Sequence, residues 1–112
     1  MLIYHNPRCS KSRQTLQLLE EKGVSPEVIL YLDEVPSKSD LKDILKKLGF
    51  SAEQLIRKGE KDFKENFKGK NLSEDEWIDA MVKFPKLIER PIVVKGDTAV
   101  IGRPPEDVLG LL

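Results

Sequence analysis

One cysteine, Cys9, stands in the stretch Pro7-Arg8-Cys9-Ser10-Lys11-Ser12-Arg13, four residues after the only histidine, His5. A structural thiol keeps apolar company; the neighbours of Cys9 are polar and cationic. The thiolate is the nucleophile, and a free cysteine of pKa ~8.5 is only a few per cent ionised at neutral pH. Three features here favour the anion. A helix that starts at Ser10 points its positive end and unpaired N–H groups at the sulfur. Arg8, Lys11 and Arg13 bring cationic charge. His5, across the turn, is within reach to donate a hydrogen bond. The same N–H groups hold oxyanions, so the loop predicts a nucleophilic sulfur beside a tetrahedral anion.

These residues also have plainer readings. His5 directly follows a predicted strand and suits a turn-stabilising bond. Ser12 suits a first-turn serine bonding to free backbone N–H groups, and Lys11 and Arg13 suit solvated surface charges. The spacing Cys9-Ser10-Lys11-Ser12 lacks the second thiol of a Cys-x-x-Cys motif. A redox cycle through Cys9 must therefore borrow that thiol from outside the chain. Arg57, Arg90 and Arg103 each fall at a predicted element boundary. Guanidinium forks grip tetrahedral oxyanions through parallel N–H bonds, and Arg90 and Arg103 would face the Cys9 loop if the last two strands lay beside the first. By position alone, all three are also ordinary loop arginines.

The elements that must position these groups follow from the pattern. "LIY" at 2–4 reads as a strand stopped by "HNP". Ser10 to Lys22 has no Pro or Gly and reads as a helix ending at Gly23. "EVILYL" at 27–32 reads as a fully buried strand, and strand–helix–strand within some thirty residues predicts a parallel βαβ unit. "SKSDLKDILKKLG" spaces Leu41, Ile44, Leu45 and Leu48 on one helical face. "SAEQLIRKG" opens with a capping-box pattern, Ser51 and Gln54. The densely charged stretch 58–71 reads as an exposed, partly irregular connector. "SEDEWIDAMVKFP" repeats the capping box with Ser73 and Glu76, then sets Trp77, Ala80, Met81 and Phe84 in one stripe ended by Pro85. "PIVV" at 91–94 and "TAVI" at 98–101 flank Lys95-Gly96-Asp97, a hairpin signal. "RPPEDVLGLL" offers a proline helix start and an apolar end. The order is that of an α/β thioredoxin-like fold: a βαβ half, a ββα half and a helical insertion at about 37–86. Pro91 suits the first position of its strand, and this fold commonly carries a cis proline there.

The chain of 112 residues fits one domain, 1–112, able to bury a core without staples. Its 19 basic and 19 acidic residues cancel, giving no global reason to bind nucleic acid or an anionic membrane. One cysteine makes no internal disulfide or Cys-rich zinc site. No secretory signal and no apolar run approaching the ~20 residues of a membrane span is seen. A free thiol without export signal fits the reducing cytoplasm.

Taken together, "YHNPRCSKSR", "ILYL", "LIRK", "ERPIVV" and "IGRPPEDVL" resemble the glutaredoxin-dependent arsenate reductases, the ArsC family, over essentially the whole chain. The resemblance implies a thioredoxin-like fold with a helical insertion. It implies that Cys9 attacks arsenate, that His5 promotes the thiolate, and that Ser12 helps stabilise thiolate and oxyanion. Arg57, Arg90 and Arg103 match the oxyanion-binding arginines. Glutathione would then attack the Cys9–arsenate adduct, glutaredoxin would take up the disulfide, and arsenite would leave. No bound cofactor or metal is implied, glutathione serves as co-substrate, and a monomer is expected. A related Spx-type branch binds RNA polymerase as a transcriptional regulator, and a general glutathione-linked thiol protein is a further alternative. Two positions depart from well-known members: Arg8 replaces a small residue and Ser10 a glycine. The chain also stops after its last predicted helix, where some members carry a longer tail.

Overall fold

A computed structural model describes residues 1–112. Contacts divide the chain into two compact units, Met1–Glu34 with Arg90–Leu112, and Val35–Glu89.

The first unit is built on strands β1 (Leu2–His5), β2 (Glu27–Leu30), β3 (Ile92–Lys95) and β4 (Thr98–Ile101), with helix α1 (Ser10–Glu21) between β1 and β2. The sheet order is β2-β1-β3-β4. β1 pairs parallel to β2, with Ile3 opposite Val28, and antiparallel to β3, with Tyr4 opposite Ile92. β3 and β4 form the predicted hairpin. Its two-residue loop has a positive φ of 59° at Gly96 and none at Asp97, the pattern of a type II′ turn, which glycine at the first position permits. Ile3, Leu19, Val93, Val108 and Leu111 form the core between sheet and helix.

This register positions the chemistry. β1 ends where β3 begins, and β4 ends opposite the start of β3, with Ile92 facing Ile101. The loop after β1, the residues before β3 and the residues after β4 therefore share one end of the sheet.

Two expectations are corrected in this unit. β2 is not fully buried: it is an edge strand, and Val28 and Leu30 are exposed. Its apolar run looks like that of a central strand, but only one side is hydrogen-bonded to a neighbour. The strand also stops at Leu30, because Tyr31 to Glu34 turn, with Glu34 N–H donating to Leu30 O at 2.8 Å. The closing helix is a 3-10 helix, Pro105–Leu111, rather than an α-helix. Gly110 inside it is a poor α-helix former.

In the second unit, α2 (Lys38–Leu48) and α4 (Glu74–Lys83) pack together. They bury Leu41, Ile44 and Leu45 from one, and Trp77, Ile78, Ala80 and Met81 from the other. Lys38 and Lys42 reach Asp75 across their exposed edges. The capping-box pattern at Ser51 yields only a 3-10 turn, Glu53–Leu55. Gln54 Oε1 accepts from Ser51 N–H at 2.8 Å, but Ile56 then pairs with Ile88 as a β-bridge and ends the turn. The charged connector contains a short helix, α3 (Lys61–Asn66). Phe63 stacks on Trp77 at 6.1 Å, and Phe67 meets both Trp77 and Phe84, so two aromatic anchors order a segment whose composition reads as irregular. No helix is long and apolar enough to cross a membrane.

Candidate active site

Cys9 is the N-cap residue of α1, with extended backbone (φ −94°, ψ 122°). Its N–H donates to Asn6 O, and its carbonyl accepts the first helical bond, from Arg13 N–H, both at 3.0 Å. The turn before it is held by side chains. Asn6 Oδ1 accepts from Arg8 N–H at 3.0 Å, and Arg13 Nη1 donates to Pro7 O at 2.9 Å. Arg13 is therefore a tie on the loop as well as a surface charge.

His5 and Ser12 meet beneath this turn. His5 Nδ1 lies 2.6 Å from Ser12 Oγ, and Asn6 N–H donates to the same oxygen at 3.0 Å. With the imidazole proton on Nε2, the Ser12 hydroxyl donates to Nδ1; with the proton on Nδ1, it accepts. Either way the hydrogen bond of His5 goes to Ser12, matching the turn-stabilising reading. Burial, with the positive charge of Arg13 added, lowers the His5 pKa below its ordinary value, which favours the neutral ring.

Arg103 reaches the sulfur directly. Its Nη2 lies 3.3 Å from Cys9 Sγ, while its Nε donates to Arg90 O at 2.7 Å. That second bond fixes the guanidinium plane and ties the end of β4 to the start of β3. The peptide bonds Arg90–Pro91 and Arg103–Pro104 are both cis. Gly102 lets this corner close: a Cβ there would stand 2.5 Å from Thr15 Oγ1 and 2.9 Å from Pro91 Cγ. Only a residue without a side chain fits between α1 and the proline.

Burial pushes the Cys9 thiol up. Hydrogen bonding from the Ser12 backbone N–H and from the Arg90 side chain, with the charges of Arg103 and Arg90, pushes it down. The lowering prevails, and the pKa sits below that of an ordinary cysteine. Ser12 thus divides its groups: the hydroxyl secures the loop, and the N–H serves the sulfur. A half-buried sulfur of lowered pKa, with the Arg103 guanidinium upon it at a helix start, can attack an electrophilic centre carried by an oxyanion.

The matches to known proteins agree with this geometry. The model of the ArsC family covers residues 4–111. The chain belongs to the ArsC family. A solved structure described as an arsenate reductase from Vibrio cholerae superposes with a TM-score of 0.95 at 50% identity, over 99% of this chain and 96% of that one. An arsenate reductase of Haemophilus influenzae is 48% identical, over 100% of this chain and 98% of its own length. A protein of Escherichia coli K12 named YfgD, described as uncharacterized, is 56% identical over 98% and 94%. The thioredoxin-like α/β fold expected from the sequence is that of these ArsC neighbours.

Of the site residues expected in this ArsC chain, Cys9, His5, Ser12, Arg90 and Arg103 gather in the first unit. Arg57 belongs to the second. There it lies on the bridge formed by residues 55–57 and 87–89: its N–H donates to Leu87 O at 2.8 Å, and its Nη1 stands 3.6 Å from Glu89 Oε1.

Three residues that sequence reasoning passed over shape the ArsC loop. Asn6 organises the turn, and "NP" after a strand is the local signal for such a side-chain turn. Thr15 is fully buried, bonding Lys11 O at 2.8 Å and Gly102 O at 3.4 Å. Gly102 lies between a β run and Arg-Pro-Pro, a pattern that hints at close backbone approach without naming what approaches.

Proposed function

We propose that this chain is an arsenate reductase that uses Cys9 as its nucleophile and draws its electrons from glutathione and a glutaredoxin. The observation that carries this reading is the 3.3 Å contact between Arg103 Nη2 and a sulfur of lowered pKa at the start of α1. Arsenate is a tetrahedral oxyanion, which the guanidinium groups of Arg90 and Arg103 and the α1 N–H groups are suited to hold. Cys9 Sγ forms a bond to arsenic, and one arsenate oxygen departs as water after taking up two protons. A glutathione thiolate then attacks Cys9 Sγ; the S–As bond breaks, and its electron pair leaves on arsenic as arsenite. Overall, As(V) gains two electrons to become arsenite, and two thiols lose them to become one disulfide. With one cysteine in the chain, a thiol from outside must complete that disulfide, and glutaredoxin removes it. Arg57 enters as a third anion-binding group on the family resemblance alone. The relatives described as arsenate reductases support the substrate.

The test is arsenate-dependent NADPH consumption, coupled through glutathione reductase, glutathione and glutaredoxin. Wild type turns over only with all partners present, and Cys9→Ser sits at background. Equal turnover by Cys9→Ser, or none by wild type, rejects the reading.

A further inference from the structure

Beside the Cys9 loop lies a cavity of about 320 Å³ with a sharply divided lining. One wall is the turn itself, His5 to Arg8; the other is the end of β2 and the turn after it, including Leu30, Leu32 and Asp33. Pro7 and the two leucines supply apolar surface. Arg8 and Asp33 supply one charge of each sign, both exposed. Neither side chain is engaged in an ion pair. The hydrogen bonds of the turn use only the backbone N–H of Arg8, in the bond to Asn6 Oδ1, and not its guanidinium.

Opposite charges at the rim of a small, partly apolar pocket fit a zwitterion. The wall containing Arg8 ends one residue before the nucleophile. The chain has no second thiol, so some small sulfur compound must approach Cys9 from outside. We infer that this cavity receives the amino-acid end of the thiol co-substrate, with Arg8 gripping a carboxylate and Asp33 an ammonium group. The inference rests on the reading of Cys9 as the sulfur that reacts with that co-substrate. It does not need arsenate to be the oxyanion.

The test is therefore made without arsenate. The Cys9 thiolate attacks one sulfur of an added disulfide; the S–S bond breaks, one half stays on Cys9 and the other leaves as thiolate. Rate constants are measured by mass spectrometry with two reagents: glutathione disulfide, which carries carboxylates and ammonium groups, and bis(2-hydroxyethyl) disulfide, which carries neither. Arg8→Gln and Asp33→Asn are each expected to slow the reaction with glutathione disulfide by about fivefold or more, the scale of one lost charge-assisted contact. The reaction with the neutral reagent should stay unchanged, because the groups that lower the Cys9 pKa are Ser12, Arg90 and Arg103 and not, as the sequence suggested, Arg8. Glutathione disulfide with esterified carboxylates should respond to Asp33→Asn but no longer to Arg8→Gln. Equal slowing with both reagents would mean that the charges act on the sulfur itself, and no slowing with either would mean an unused cavity; each overturns the inference. A chain that fails the arsenate assay but passes this one separates the two readings.

Discussion

At the start of α4, Ser73 Oγ accepts from Glu76 N–H at 3.2 Å, and Glu76 Oε1 accepts from Ser73 N–H at 3.0 Å. Ser37 and Asp40 do the same for α2. At the start of α1 the same extended backbone carries Cys9, with no such reciprocal cap. Its third helical residue is Ser12, whose hydroxyl turns to His5 and Asn6 instead of back to the cap. The first turns differ as well. Asp40 in α2, and Glu74, Asp75 and Glu76 in α4, offset the positive helix end, whereas the first turn of α1 has no acid. Capping boxes and first-turn acids use the exposed N–H groups and the dipole for stability. Leaving them out at α1 keeps both available to a sulfur anion and to whatever anion it attacks.

The largest effect that follows from this contrast concerns Arg103. Arg103→Ala removes the guanidinium on the sulfur, and the thiol pKa should rise, because one of the positive charges that lower it is gone. Ultraviolet thiolate absorbance against pH would show the curve moving to higher pH, and turnover falling roughly ten- to a hundredfold. An unmoved curve would leave the helix start and Arg90 as the sources of the lowered pKa.

Ser12→Ala separates the two roles of that residue. Asn6 N–H and His5 Nδ1 lose their buried partner, so stability should fall by about 1–3 kcal/mol in urea denaturation. The thiolate curve should hardly move, since the backbone N–H stays. A large shift in thiol pKa with intact stability would reverse the assignment.

Ser73→Ala, at an ordinary cap, has the smallest expected effect. It should cost about 1 kcal/mol of stability and leave the rate of Cys9 alkylation unchanged. A change in that rate would show that the cap in the second unit matters to the sulfur in the first.

Patterns confined to a few neighbouring residues were readable in advance. The Ser73–Glu76 capping box, the Gly96 hairpin and the buried stripe of α4 depend on contacts within one turn or one loop. The candidate site was partly readable for the same reason: Cys9, Ser12 and the start of α1 form one local unit. The errors fell where a distant partner decides. β2 has the composition of a central strand, and only the sheet order makes it an edge. Residues 61–66 look irregular, and Trp77 is what orders them. Residues 51–55 look like a helix start, and the Ile56–Ile88 bridge cuts it short.

By itself the sequence determined that one thiol would stand at a helix start with cations near it, because N-cap position and charge are properties of adjacent residues. The tertiary structure alone decided which cation stands against the sulfur and where the His5 Nδ1 hydrogen bond goes. Arg103 comes from the far end of the chain, brought to Cys9 by the pairing of β3 between β1 and β4 and by the close contact at Gly102. His5 looked toward the sulfur on paper, but the fold gave its hydrogen bond to Ser12. Pairing between strands distant in sequence carries no local signature, and the direction of a buried polar group follows from whichever partner burial leaves within reach.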